Sequence, residues 1–142
     1  TLDDYEEGTW TPGITDNTGG GATAESQAYS VQVGRYQKVG NTVHFWGEFI
    51  LTSLGSLTAT DTVQINGLPF TAASNSMLAH VATHYSAGLA ITAGYGPITG
   101  YIYGGVALAP MQLWDATTGR SGLLISELSA DGRLDFSGHY EV

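Results

Sequence analysis

Five large aromatic side chains crowd the stretch between positions 85 and 114: Tyr85, Tyr95, Tyr101, Tyr103 and Trp114. Flat rings offer a stacking surface to the C–H faces of sugars, and polar groups beside them hold hydroxyls. Gln112 and Asp115 supply such groups. On an extended chain Gln112 falls on the same side as Trp114, and Asp115 follows Trp114 at a strand end. Tyr101 and Tyr103 share a face at i, i+2 spacing. The candidate saccharide-binding set is therefore Tyr101, Tyr103, Trp114, Asp115, Gln112, Tyr85 and Tyr95. A hydrophobic core or a subunit seam would use the same rings, and both readings stay open at this point.

Other chemistry finds less support. His80 and His84 are four apart. On a helix that spacing chelates one metal; on a strand it separates the imidazoles by roughly 13 Å. The Gly, Thr, Val and Tyr around them favour a strand. Three copies of one His meeting on a symmetry axis is the remaining metal option. With no cysteine there is neither a disulfide nor a thiolate site. Glycoside hydrolysis needs two carboxylates about 5–10 Å apart. Glu48, Asp61, Asp115, Glu127 and Asp135 are available, and none sits in a recognisable motif. Gly19, Gly20 and Gly21 have neither the Lys nor the helix of a phosphate loop. The expectation is no catalytic residue, no metal and no cofactor.

Composition narrows the partners. At 142 residues the chain is expected to be one domain spanning 1–142, with 1–9 as an acidic lead-in from a preceding domain of a longer polypeptide. Charged residues make up 12%, about half the usual share, so much of the surface is expected to face other subunits. The net charge is −9, and Arg35, Lys38, Arg120 and Arg133 make no basic footprint for nucleic acid. No apolar run reaches membrane-spanning length, so no membrane insertion is expected.

The elements that must position these groups all read as strands. Residues 34–51 form a hairpin about a Gly40-Asn41 turn. Val43, Phe45, Gly47, Phe49 and Leu51 alternate onto a core face. His44, Trp46, Glu48 and Ile50 make the opposite face, too apolar for plain solvent. A second sheet, another chain or a ligand should cover it. His44, Trp46, Ile50 and His80 are the interface candidates. Upstream, 29–33 alternates and parity breaks at Gly34, which points to a β-bulge. Further strands are expected at 62–65, 77–85, 89–93, 98–103, 106–114, 123–125 and 134–142. In 77–85, Val81 and Tyr85 should share one face. Pro110 places its strand near an edge or bulge. Polar loops or turns are expected at 115–122 and 129–132. Short strands with glycine-rich turns indicate an all-β, antiparallel sandwich or jelly roll.

A resemblance runs through these elements. Asp4-Tyr5-Glu6-Glu7-Gly8-Thr9-Trp10-Thr11-Pro12 is followed in order by residues 29–36, Lys38-Val39-Gly40-Asn41-Thr42-Val43, Ile65-Asn66-Gly67-Leu68-Pro69-Phe70 and Phe136-Ser137-Gly138-His139-Tyr140. Together they resemble a domain common at the C-termini of tailed-bacteriophage tail fibres and tailspikes. The resemblance implies a virion component, a homotrimer attached to preceding domains of the same fibre. It also implies recognition of a bacterial surface polysaccharide, lipopolysaccharide or capsule. The alternative is a structural trimerisation or capping domain of a tail or head fibre with no ligand. Residues 77–122 match none of the shared motifs, so site assignments there rest on residue chemistry.

Overall fold

The computed structural model describes residues 4–18, 24–74, 79–92 and 96–142. Tyr95, Met77, Leu78 and the glycines at 19–21 lie outside the described residues. The described residues form ten strands: β1 (Tyr5–Trp10), β2 (Gly13–Thr15), β3 (Ala28–Val39), β4 (Thr42–Ser53), β5 (Gln64–Asn66), β6 (Ala79–Leu89), β7 (Ile98–Ile102), β8 (Leu108–Asp115), β9 (Gly119–Gly122) and β10 (Leu128–Glu141). A single 3-10 turn at Ile125–Glu127 is the helical element among the described residues.

All pairings are antiparallel, in the order β1-β3-β4-β10-β6-β7-β8-β5-β2, with β9 also on β8. β1 and β2 stand at opposite ends of this path, yet only Thr11 and Pro12 join them. Three Cα steps reach roughly 11 Å. A flat sheet of nine strands would hold the same two edges roughly 38 Å apart. The sheet must therefore curl until its ends meet. Side chains from β3 and the segment before it close the seam. Tyr29 Oη accepts the Ile14 N–H at 2.8 Å, Gln27 Nε2 donates to the Ile14 carbonyl at 2.8 Å, and Gln32 Nε2 donates to the Pro12 carbonyl at 2.8 Å. The expected all-β antiparallel class is present, as one curled sheet in place of two separate leaves.

The inside of the curl is the core. Val43, Phe45, Phe49 and Leu51 of β4 face it, as their alternation requires, with Leu134, Phe136 and Tyr140 of β10 beside them. Val81, Ile102, Met111 and Leu113 continue it across β6, β7 and β8. The Tyr140 hydroxyl accepts the Phe70 N–H at 3.0 Å and donates to the Phe70 carbonyl at 2.9 Å, which pins the loop after β5 to the last strand.

Several local expectations are corrected. No bulge occurs at Gly34; the β3–β4 register is continuous there, and the irregularity lies between Ala28 and Val31. Gly34 faces inward because the Trp10 indole occupies its side-chain space. In β6, Phe136 pairs with Thr83 and Asp135 with Tyr85, so His84 is an extra residue that flips the alternation. Val81 is buried while Tyr85 is turned out and 53% exposed. Leu89 ends β6 and residues 90–92 form no strand; residue 93 lies outside the described residues. Residues 115–122 are a turn and strand β9, not a loop, and 129–132 run within β10 as a register shift. Residues 123–125 form no strand beyond the Leu124–Thr62 bridge. From Tyr5 onward the acidic segment is a strand paired with β3, with Tyr5, Glu6 and Glu7 exposed. Pro110 is buried in the interior strand β8. Its missing N–H falls where β7 pairing (111–113) gives way to β5 pairing (108–110).

Candidate functional site

On the outer surface β6, β7, β8 and β9 lie side by side. Cross-strand pairing places His80 opposite Tyr101, Thr99 opposite Gln112, and Trp114 opposite Arg120. Two clefts meet along this surface. The larger, about 510 Å³, is lined by Ala79, His80, Pro97, Thr99, Gly100, Tyr101, Gln112 and Trp114. Its walls are mostly apolar, and Trp114 is fixed by its Nε1–H donating to Thr99 Oγ1 at 2.7 Å. The smaller, about 300 Å³, is polar and includes Asn17, Thr62, Gln64, Tyr101, Tyr103, Gln112 and Arg120. Tyr101 and Gln112 belong to both and form the ridge between them. The Tyr101 and Tyr103 rings lie 6.1 Å apart and tilted by 38°, the spacing of two consecutive stacking platforms.

Four of the expected residues are thus brought together: Tyr101, Tyr103, Gln112 and Trp114. Asp115 is adjacent but committed to its own turn. Its carboxylate accepts the N–H groups of Thr117 and Thr118 at 2.6 Å each and the Thr118 hydroxyl at 2.6 Å. The Thr118 hydroxyl, the Thr118 N–H and the Thr117 N–H hold its carboxyl below the usual carboxylate range. Tyr85 sits elsewhere on the outer face, beneath the Arg133 guanidinium at 4.8 Å. Tyr95 lies outside the described residues. His80, expected at an interface, borders the larger cleft.

Arg120, Thr62, Gln64 and Asn17 were not anticipated. Arg120 reaches the site as the cross-strand partner of Trp114 across the tight β8–β9 hairpin, and its guanidinium lies 5.8 Å from the Tyr101 ring centroid. Gln64 and Asn17 arrive from β5 and the end of β2, joined by a 2.6 Å hydrogen bond. The Thr-Gly signal at 118–119, a glycine with φ +79°, is the sequence feature that could have revealed the hairpin and hence Arg120.

The outer face of β1, β3, β4 and β10 carries a different surface. Trp46 is 46% exposed between two further cavities of about 600 and 260 Å³. The first is lined by Glu7, Gly8, Thr9, Arg35, Tyr36 and Gln37 with Trp46; the second includes Val33, Glu48, His84 and Asp135. Among the described residues no segment covers this face. Ile50 is half-buried beside Arg133. His44 pairs across strands with His139, ring centroids 5.6 Å apart. Arg133 forks onto Asp135 with two 2.8 Å bonds and also reaches Glu48 at 3.0 Å, which raises its pKa. Among the described residues no group of three or more His, Cys, Asp or Glu could hold a metal ion.

No known protein family and no curated protein matches the sequence. The fold does have a match among solved structures. It is similar to part of the Dettilon tailspike protein (gp208), with a TM-score of 0.75 over 96% of this chain at 17% identity. The chain spans 24% of the length of that tailspike. The all-β antiparallel curled sheet is thus an architecture found within a tailspike protein.

Proposed function

We propose that this chain is a receptor-binding module of a tailed-phage fibre or tailspike, held in the virion as a homotrimer and reading a glycan on the bacterial surface. The observation that carries this reading is the groove across β6 to β9, where Tyr101, Tyr103 and Trp114 present rings around the amide of Gln112. Such a site combines broad stacking surfaces with a few fixed polar groups, as saccharide recognition requires. The tailspike-like fold and the resemblance of residues 4–12, 29–36, 38–43, 65–70 and 136–140 to fibre domains support the setting. A shallow single site binds weakly, and a trimer multiplies its avidity on a repetitive surface.

The module acts by binding and not by hydrolysis in this reading. Glu48 and Asp135 are the carboxylates that pairing brings together, and both bond Arg133. One guanidinium thus engages both carboxylates in a structural cluster. A second reading, a structural trimerisation or capping domain, is favoured by the uncovered face around Trp46, Val33 and Ile50.

Binding of the purified chain to arrayed bacterial polysaccharides tests the proposal. Trp114→Ala should lower binding at least tenfold, the equivalent of about 1.4 kcal/mol, with unchanged oligomer size and melting curve. Unfolding by Trp114→Ala would make the ring a core element. Undiminished binding would move the site elsewhere, and absence of binding by the unaltered chain would favour the structural reading.

A further inference from the structure

The smaller cleft carries an inference that rests on the glycan-binding reading and narrows it. The chain has 13 acidic and four basic residues, so a positive group at a binding surface is exceptional. Arg120 is that group. It is the one charged residue lining the cleft; its neighbours there are Asn17, Thr62, Gln64, Tyr101, Tyr103 and Gln112. Among the described residues Arg120 has no ion pair, whereas Arg133 holds two carboxylates. Among the described residues its one side-chain partner is the Tyr101 ring, 5.8 Å from the guanidinium carbon. Stacked there, Arg120 keeps its N–H fork free for a ligand.

A second observation points the same way. Gln112 is only 7% exposed, and what it exposes lines both clefts; among the described residues the buried side-chain polar atoms left without a partner belong to Asn66 and Thr83. The Gln112 amide is thus a polar group on the cleft wall, of the kind that orients a ligand. A hydroxylated ligand seated on the Tyr101 and Tyr103 rings would reach it. At about 300 Å³ the cleft is at the lower end of the roughly 300–1,000 Å³ range of small-ligand sites, and it opens along the Tyr101 ridge into the larger groove.

From this we infer that the cleft binds an acidic saccharide, a sugar unit bearing a carboxylate as in uronic acids. Arg120 takes the carboxylate, Gln112 a ring hydroxyl, and the tyrosines the C–H face. The neighbouring sugars run past Trp114. A guanidinium matches a carboxylate with two parallel, charge-assisted hydrogen bonds, a strength that neutral hydroxyls do not supply. Among the described residues no acidic side chain lines the cleft, so none opposes an anion at contact distance.

The test is an array of uronate-containing capsular and O-antigen polysaccharides, each printed in native form and after chemical reduction of its carboxyl groups to alcohols, with neutral polysaccharides alongside. The expected result is binding to native acidic members that falls at least tenfold on carboxyl reduction, and equally in Arg120→Gln, with partial recovery in Arg120→Lys. Gln112→Leu should also lose binding, with unchanged circular dichroism and melting temperature. Binding that survives both carboxyl reduction and Arg120→Gln overturns the acidic-sugar inference and leaves glycan binding standing. Binding to no member of the array overturns both.

Discussion

At the scale of single residues, hydrogen bonds decide how each carboxylate is used. Asp16 is fully buried at the end of β2. Burial pushes its carboxyl up, but bonds from the Thr18 hydroxyl, the Thr58 N–H at 2.8 Å and the Thr18 N–H at 2.8 Å outweigh it and hold the group well below the usual range. A carboxylate whose folded-state pKa is depressed stabilises the fold fully above its unfolded value of about 3.9, and that contribution is lost as pH falls toward the folded value. Asp16→Asn should therefore destabilise the chain at pH 7 by roughly 1.5–3 kcal/mol, the size of hydrogen bonds to a charged group. The variant should also lose less stability than the unaltered chain below about pH 4. Urea unfolding at neutral and acidic pH checks this. Parallel acid dependences in the two proteins would mean that Asp16 is no anchor. Asp115 uses the same chemistry at an exposed turn, which is why its position beside Trp114 does not make it a ligand group.

At the scale of elements, one row of residues explains much of the motif pattern. Trp10 pairs with Gly34, Gly34 with Gly47, and Gly47 with Phe136, across β1, β3, β4 and β10. The two glycines form a trough, and the indole and phenyl rings fold into it. A Cβ at Gly34 would lie 2.5 Å from the Trp10 ring, and one at Gly47 2.6 Å from the Phe136 ring. The indole Nε1–H donates to the Trp46 carbonyl at 3.0 Å, so β1 is held to β4 across β3. Gly34→Ala should cost about 1–3 kcal/mol through overpacking. It should also loosen β1, visible as faster amide exchange from residue 5 to residue 10. A stability equal to that of the unaltered chain would show that the trough is slack.

At the scale of the whole molecule, the outer face of the sheet divides into two regions. The β6–β9 side has the groove; the β1-β3-β4-β10 side has an uncovered surface bearing Trp46 and Val33, with Tyr85 of the adjoining strand β6 beside it, each an exposed large hydrophobic residue. Charged residues at 12% of the chain leave little else to keep such a face in water. In the proposed homotrimer this second region is the contact between subunits. Light scattering at micromolar concentration should then give a mass near three times 14.9 kDa. Trp46→Ala should shift the equilibrium toward monomer, with a loss on the order of 2–5 kcal/mol of assembly energy if the ring is fully enclosed. A stable monomer of the unaltered chain at that concentration would leave this face without a partner copy.

The amino-acid sequence alone determined the faces of β4 and of the end of β10. Period-two alternation is a property of the local backbone, and the Gly40 turn, with φ +59°, sets the β3–β4 register without help from elsewhere. It also marked Tyr101, Tyr103, Gln112 and Trp114, because i, i+2 spacing puts side chains on one face wherever the strand lies. Tertiary structure decided the rest. The extra residue at His84, which sends Tyr85 to the outer face, follows from how β6 meets β10, a partner some fifty residues away. Gly34 looked like a bulge because nothing local shows that the Trp10 ring needs its space. Arg120 joined the tyrosines, and Asn17 and Gln64 closed the cleft, through strand pairing and sheet curl. Those long-range constraints have no periodic trace in the chain, since they arise only when edges far apart in sequence are forced to meet.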